Sequence, residues 1–283
     1  MEDHLLHQRV QAAQAGDADA LQDVVRAVQH DVFHLALRIL GHRDDAHDAA
    51  QEVLIRVVTK LSSFRGESRF RTWVYRVASN SLLNFRAELK MREQTFAEAG
   101  DQLDAGYEYG ESVPPSDDAV APDDPARAAL VTEVKLFCTQ GMLMCLDRPQ
   151  RLAYVLGEIL ELDSEDGAAV LEISPEAFRK RLSRARSAME AFLQLHCGVA
   201  NPQCRCRCDK LVPAALAGGL VDAKQPMYQT IPIQRADRLR IDIEQLRSAA
   251  EVFRGLPVYA SPSDFAGAIR GWIGSGSGRL DLH

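Results

Sequence analysis

The chain has 283 residues, of which 46% are hydrophobic and 26% charged, with a net charge of -7 and six cysteines. That length suits about two domains, and the balance is that of a globular protein rather than a disordered or fibrous one. No apolar run is long enough to span a bilayer, and the start M-E-D-H-L-L-H-Q lacks the basic and apolar stretches of a signal peptide. The expected compartment is therefore the cytoplasm, where six cysteines stay reduced rather than form a disulfide framework. Aromatics are sparse and the apolar residues recur at helical rather than alternating spacing, so the expected fold class is all-α.

In chain order, Asp17 suits the N-cap of a helix beginning near Ala18, with a stripe of Leu21, Val24, Val25, Val28, Val32, Leu35, Ala36 and Ile39 and a stop at Gly41. Asp44 and Asp45 open a second helix at its positive dipole end. Its buried stripe is Ala46, Ala49, Ala50, Val53, Leu54, Val57, Val58 and Leu61, while Asp48, Gln51, Glu52, Ile55 and Arg56 face away. By residue type alone that outer face reads as solvated surface. The next stretch, L-S-S-F-R-G-E-S-R-F-R-T-W-V-Y-R-V-A-S-N-S-L-L-N, joins a polar loop at Phe64, Arg65 and Gly66 to a third helix. Trp73, Val74, Val77, Ala78 and Leu82 form its core stripe, and Arg71, Tyr75, Arg76, Asn80 and Asn84 lie off it. A solvated basic face is one reading; the other is a surface for single-stranded nucleic acid, where rings stack on bases and guanidinium groups hold phosphates.

The pattern F-R-G-E-S-x-F-x-T-W-x-Y-R-x-A-x-N resembles region 2 of sigma-70 family transcription initiation factors, in the extracytoplasmic-function (ECF) group. The resemblance implies that D-A-x-D-x-x-Q-E-V, carrying Asp48, Gln51, Glu52 and Ile55, docks on core RNA polymerase. It implies that the Phe64 loop and Asn80 capture a flipped minus-10 base of promoter DNA, with Arg65, Arg71, Tyr75 and Arg76 beside them, and that Trp73 packs in the core.

The third helix is expected to run on to about Arg92, closing a first domain over 1–92. Residues 93–126 are rich in Asp, Glu, Gly and Pro, with no Lys or Arg from Glu93 to Asp124, and read as a flexible, self-repelling linker. A passive tether is one reading; the resemblance implies a segment threading polymerase channels. A second helical domain follows over 127–195, with Cys138 and Cys145 read as small buried hydrophobes. Within it, D-S-E-D-G-A-A-V-L-E-I-S-P-E-A-F-R-K-R-L-S-R-A-R-S-A-M reads as a helix-turn-helix. Asp163 or Ser164 caps the first helix, Glu172-Ile173 is the turn, and Ser174 caps the second helix with Pro175 at its first position. Phe178, Leu182, Ala185 and Met189 make its seam, and Arg179, Lys180, Arg181, Ser183, Arg184 and Arg186 form the basic patch that the acidic total conceals. Such a helix presents its N-terminal residues, here Ser174 and Glu176, to base edges and later arginines to phosphates. The pattern resembles sigma region 4, which implies binding to minus-35 promoter DNA.

Residues 196–283 form an extension beginning H-C-G-V-A-N-P-Q-C-R-C-R-C-D-K. His196, Cys197, Cys204, Cys206 and Cys208 invite three readings: a Zn²⁺ site, a thiol redox switch, or cysteines that merely pack. The interleaved arginines are expected to lower the thiol pKa values. The C-G-x-x-N-P…C-R-C pattern resembles the end of a sub-group of these sigma factors, and Cys204 departs from it. Further helices are expected over 236–254 and from Ser263 through Trp272. No nucleophile–base pair, phosphate loop or acid pair stands at usable spacing, so the expected protein is not an enzyme. The reading is a sigma factor that binds core polymerase and directs initiation, regulated by its extension, which either inhibits it or is required by it, with a separate anti-sigma protein as a further candidate partner. The rival is a helix-turn-helix regulator with a metal- or redox-sensing end.

Overall fold

The computed structural model describes residues 3–85, 94–113, 125–221 and 264–267. In chain order its helices are α1 (Asp3–Gln14), α2 (Ala18–Leu40), α3 (Arg43–Thr59), α4 (Phe70–Asn84), α5 (Phe96–Ser112), α6 (Pro125–Met144), α7 (Arg148–Tyr154), α8 (Ser164–Leu171), α9 (Pro175–His196) and α10 (Cys208–Ala217). Among the described residues the only extended pairing is an isolated bridge between Cys197 and Cys206. The protein is all-α, as its spacing predicts. Contacts divide it into two units: α1 to α4 with residues 162–179 and 264–267, and α5 to α7 with 180–221.

In the first unit, α2 forms where the sequence expects it. The Asp17 carboxylate accepts from the amides of Asp19 and Ala20, and Gly41 ends the helix at φ 78°, a left-handed position that suits glycine. Val24, Val25, Val28, Val32, Leu35 and Ile39 are buried on one side, and Ala46, Ala49, Ala50, Val53, Leu54 and Val57 answer them from α3. Each of the valines, leucines and isoleucines contributes about 1.5–3 kcal/mol by leaving water, and each alanine less. The first helix, α1, was not anticipated, because its stripe is only Leu6 and Val10, both buried. Its Gln14 amide donates to the carbonyls of Leu61 and Phe64, 2.9 Å each, and so ties down the loop before α4.

In the second unit the acidic stretch departs from expectation. Instead of a flexible linker over 93–126, residues Phe96–Ser112 form α5. A capping box starts it: Thr95 Oγ1 accepts the Glu98 amide at 3.2 Å and Glu98 accepts the Thr95 amide at 2.7 Å. Asp101, Asp104, Glu108 and Glu111 lie outward on the exposed face. Leu103 and Tyr107 pack inward with Val134 of α6 and Leu211 and Ala215 of α10. Gly110 permits the crossing, since a Cβ there would stand 1.9 Å from the Lys210 carbonyl oxygen. The acids are thus the solvated side of an amphipathic helix rather than a reason for disorder.

A second feature of this unit has no sequence signal. Arg151 of α7 is fully buried and donates to the carbonyls of Leu143 (2.8 Å), Met144 (3.2 Å) and Leu146 (2.7 Å). The α7 chain continues as a π turn over Val155–Ile159. The expected continuation of the third helix to Arg92, and the helices over 236–254 and beyond residue 267, lie outside the described residues.

Candidate nucleic-acid interface

Of the four residues of α3 that the resemblance assigns to polymerase docking, Asp48 and Gln51 are exposed, Glu52 is paired with Arg56 and Ile55 is half-buried. Helical spacing alone turns this face away from the α2 contact. A short piece of the extension lies on the same pair of helices. Phe265 is buried with its ring 5.0 Å from that of His47, and the Ala266 amide donates to the Gln29 side chain at 3.3 Å.

The loop and α4 sort the candidate residues differently from the sequence reading. Phe64 is only 6% exposed. Its ring centroid lies 5.2 Å from Phe70 and 5.6 Å from Trp73, and Gln14 holds its carbonyl. The expected role of Phe64 as a surface ring is corrected accordingly: it anchors the loop, because an aromatic cluster gains more by burial than a lone ring in water. Gly66, at φ 75°, turns the chain and leaves Arg65 exposed. Tyr75 is corrected in the same way. It is 9% exposed, and burial pushes its hydroxyl pKa up against the opposing pull of Arg71 and Arg38. Arg71 is engaged by Asp31 across the first unit. Arg65, Arg76 and Asn80 remain on the accessible edge. Trp73 packs in the core as expected.

Two residues of this edge have partners on the helix-turn-helix. Arg69 Nη2 donates to Asp166 of α8 at 2.8 Å, and Asn80 Nδ2 donates to Glu172 at 2.9 Å. Arg69 was not singled out from sequence, although it stands in the same loop as Arg65.

The helix-turn-helix has the expected caps. Asp163 accepts from the amides of Glu165 and Asp166, and Ser174 Oγ accepts from the Ala177 amide at 3.1 Å. Gly167 lets α9 approach, since a Cβ there would meet the Phe178 ring at 2.3 Å. Along α9, Phe178, Ala185 and Met189 are buried, while Ser174, Glu176, Arg179, Lys180, Ser183, Arg184 and Arg186 are exposed. Arg186 is paired with Glu158, which raises the Arg186 pKa.

The cysteine stretch folds as a knot after α9. Gly198 is required there, because a Cβ would stand 2.1 Å from the Cys206 carbonyl oxygen. The Arg207 guanidinium donates to the carbonyls of Cys204, Cys206 and Pro202. Arg205 pairs with Glu111 and lies over the Tyr107 ring. Burial outweighs the downward pull of Arg207 on Cys206 that the interleaved arginines lead one to expect. Burial, with the charges of Cys208 and Cys197 adding to it, pushes Cys206 up to about 12, and burial pushes Cys208 up to about 11. Cys204 donates to the carbonyls of Gln194 and Leu195, and the His196 ring lies 4.8 Å from that of Phe192. Among the described residues no three His, Cys, Asp or Glu side chains stand together as a ligand set. Burial pushes the thiol of Cys138 in α6 up, and Cys208, Cys197 and Cys206, to which the sequence did not connect it, add to that.

Comparison with known proteins agrees with this layout. Residues 24–91 match the family model Sigma-70 region 2, and residues 136–189 match Sigma-70, region 4. The chain is similar to the RNA polymerase sigma-H factor of Pseudomonas aeruginosa, 32% identical over 190 residues that cover 66% of this chain and 93% of the relative. It is also similar to the ECF RNA polymerase sigma factor SigW of Bacillus subtilis, 29% identical over 67% of this chain and 97% of the relative. The ECF RNA polymerase sigma-E factor of Haemophilus influenzae is 29% identical over 65% and 93%.

Proposed function

The chain belongs to the ECF group of the sigma-70 family of RNA polymerase sigma factors, and on that premise we propose which of its residues do the work. It binds core RNA polymerase and directs promoter recognition and transcription initiation. In our reading Asp48, Gln51, Glu52 and Ile55 of α3 meet the polymerase, and Arg65, Arg76 and Asn80 meet the minus-10 strand. Ser174 and Glu176 approach minus-35 base edges, while Arg179, Lys180, Ser183, Arg184 and Arg186 hold the duplex. Phe64, Tyr75 and Arg71 support the minus-10 surface from beneath. The protein acts by binding and positioning, without covalent chemistry of its own, and works in the cytoplasm. Among the described residues no helix is long and apolar enough to cross a membrane.

The observation that carries the reading is the exposed basic run of α9 behind a capped N-terminus, in one chain with the outward polar face of α3. Run-off transcription with purified core polymerase and a pool of genomic fragments from the same organism tests it. The full chain should initiate from specific sites. Arg184→Ala should weaken binding to those duplexes by about tenfold for every sequence and reduce the salt slope, because a phosphate contact carries no sequence information. Altered sequence preference with an unchanged slope would refute the role given to Arg184.

The extension is proposed to restrain the factor in cis, supported by the seating of Phe265 beside His47, the neighbour of Asp48. An anti-sigma protein would act on the same faces in trans. Zn²⁺ at the extension is also a proposal. Of its candidate donors, Cys204 and His196 are otherwise engaged, which leaves Cys197, Cys206 and Cys208, and these do not stand together as a ligand set among the described residues. Elemental analysis of the full chain decides: about one equivalent of zinc, lost in Cys197→Ser, supports the site, and a metal-free protein removes it.

A further inference from the structure

Two donors at opposite ends of the minus-10 edge, Arg69 before α4 and Asn80 within it, are taken by Asp166 and Glu172 at 2.8 and 2.9 Å. Both acceptors are carboxylates, whose paired anionic oxygens offer a guanidinium or an amide what a phosphate or a base carbonyl would offer. Glu172 holds an unusual place for its part. It caps α8 at φ 54°, in the left-handed region where glycine or asparagine is the ordinary choice. A glutamate stands there instead, and its carboxylate accepts the Asn80 amide. The frame behind the two acids is stiff, because Gly167 brings Phe178 of α9 directly onto α8.

We propose that the α8 edge bearing Asp166 and Glu172 is an intramolecular docking partner for the minus-10 surface, seated where the promoter strand would lie. The contact occupies the donor groups of Arg69 and Asn80 in the DNA-free protein and must break for initiation. This rests on the assignment of α4 to minus-10 DNA. Distance makes the two states exclusive: elements centred near -10 and -35 lie about 25 base pairs apart, roughly 85 Å of duplex at ~3.4 Å per base pair. Side chains in hydrogen-bond contact cannot occupy both elements at once. The tie is also weak enough to yield. The Arg69 side chain is 66% exposed and that of Asp166 32%, so solvent and salt screen the pair.

The test uses the full chain with Asp166→Asn and Glu172→Gln together, which leaves the fold's buried residues untouched. Amide exchange is followed at 69–80 and 164–172, and anisotropy is followed with a fluorescein-labelled single-stranded DNA 20-mer. Exchange in both segments should rise about fivefold, and the oligonucleotide should bind about fivefold tighter. A control with Asp101→Asn and Asp104→Asn, two exposed acids of α5, removes the same charge and should change neither. Arg69→Glu alone should open the contact, and Arg69→Glu with Asp166→Arg should restore protection. Unchanged exchange overturns the docking contact. Faster exchange without tighter binding, or equal tightening by the control, overturns the blocking of those donors. Adding Asn80→Ala and Arg76→Ala to the opened chain should abolish the gain. If the gain survives, the DNA binds elsewhere, and the assignment of α4 fails rather than the contact.

Discussion

Arg151 shows how much a single residue can carry without advertising it. An arginine heading the apolar run R-L-A-Y-V-L ordinarily snorkels to solvent, yet this one is 0% exposed and donates to three carbonyls in and just after the last turn of α6. Arg151→Leu keeps the volume and strands those acceptors, so we expect a loss of roughly 3 kcal/mol or more, read from the urea midpoint of the full chain. A surface arginine such as Arg184 should change DNA binding with almost no change in that midpoint. The thiols give a second test at this scale. A free cysteine ionises near pH 8.5, whereas Cys206 at about 12 stays protonated at neutral pH. Its alkylation in the native protein should be far slower than in urea, and should climb with pH well beyond the point where a free cysteine has levelled off.

Elements were legible in proportion to the strength of their local signals. The α2 stripe is long, and its caps at Asp17 and Gly41 are explicit, so both its bounds and its buried side follow from spacing. Helix α1 offers only Leu6 and Val10 and needed α2 to hold it. For α5 the signal T-F-A-E was present in the sequence, but charge density argued against order. Packing by Leu103 and Tyr107 settled the matter. Thr95→Ala should cost about 1 kcal/mol and speed amide exchange in the first turn of α5 while leaving α2 unchanged. On α4, helical phase separated Trp73 from Asn80 correctly but placed Tyr75 outside. Four successive residues, Thr72 to Tyr75, are buried, so α4 is covered on more sides than a single apolar stripe predicts.

At the scale of the whole molecule, the matches to regions 2 and 4 fix what the chain does, and the extension is proposed to bear on when it does it. Phe265 is buried against α3 at a position whose neighbour faces the proposed polymerase surface. Phe265→Asp should expel that segment and raise the affinity for core polymerase several-fold, measured by fluorescence titration of the full chain. Unchanged affinity would leave Phe265 as packing alone. The variant also differs in its readout from the opened α8 chain, because one reports on polymerase and the other on DNA.

The sequence by itself determined the all-α class, the order of the two sigma regions, the caps of α2, α8 and α9, and the basic run from Arg179 to Arg186. Each of these depends on residues close together in the chain, where helical periodicity and capping chemistry act. Only the tertiary structure decided that Phe64 and Tyr75 are core residues, that Arg151 closes α6, that Cys138 lies near the cysteines of the extension, and that Asp166 and Glu172 hold Arg69 and Asn80. Those are pairings between distant residues. Their stability comes from desolvation and geometry that exist only once the helices have packed, so no local pattern could announce them.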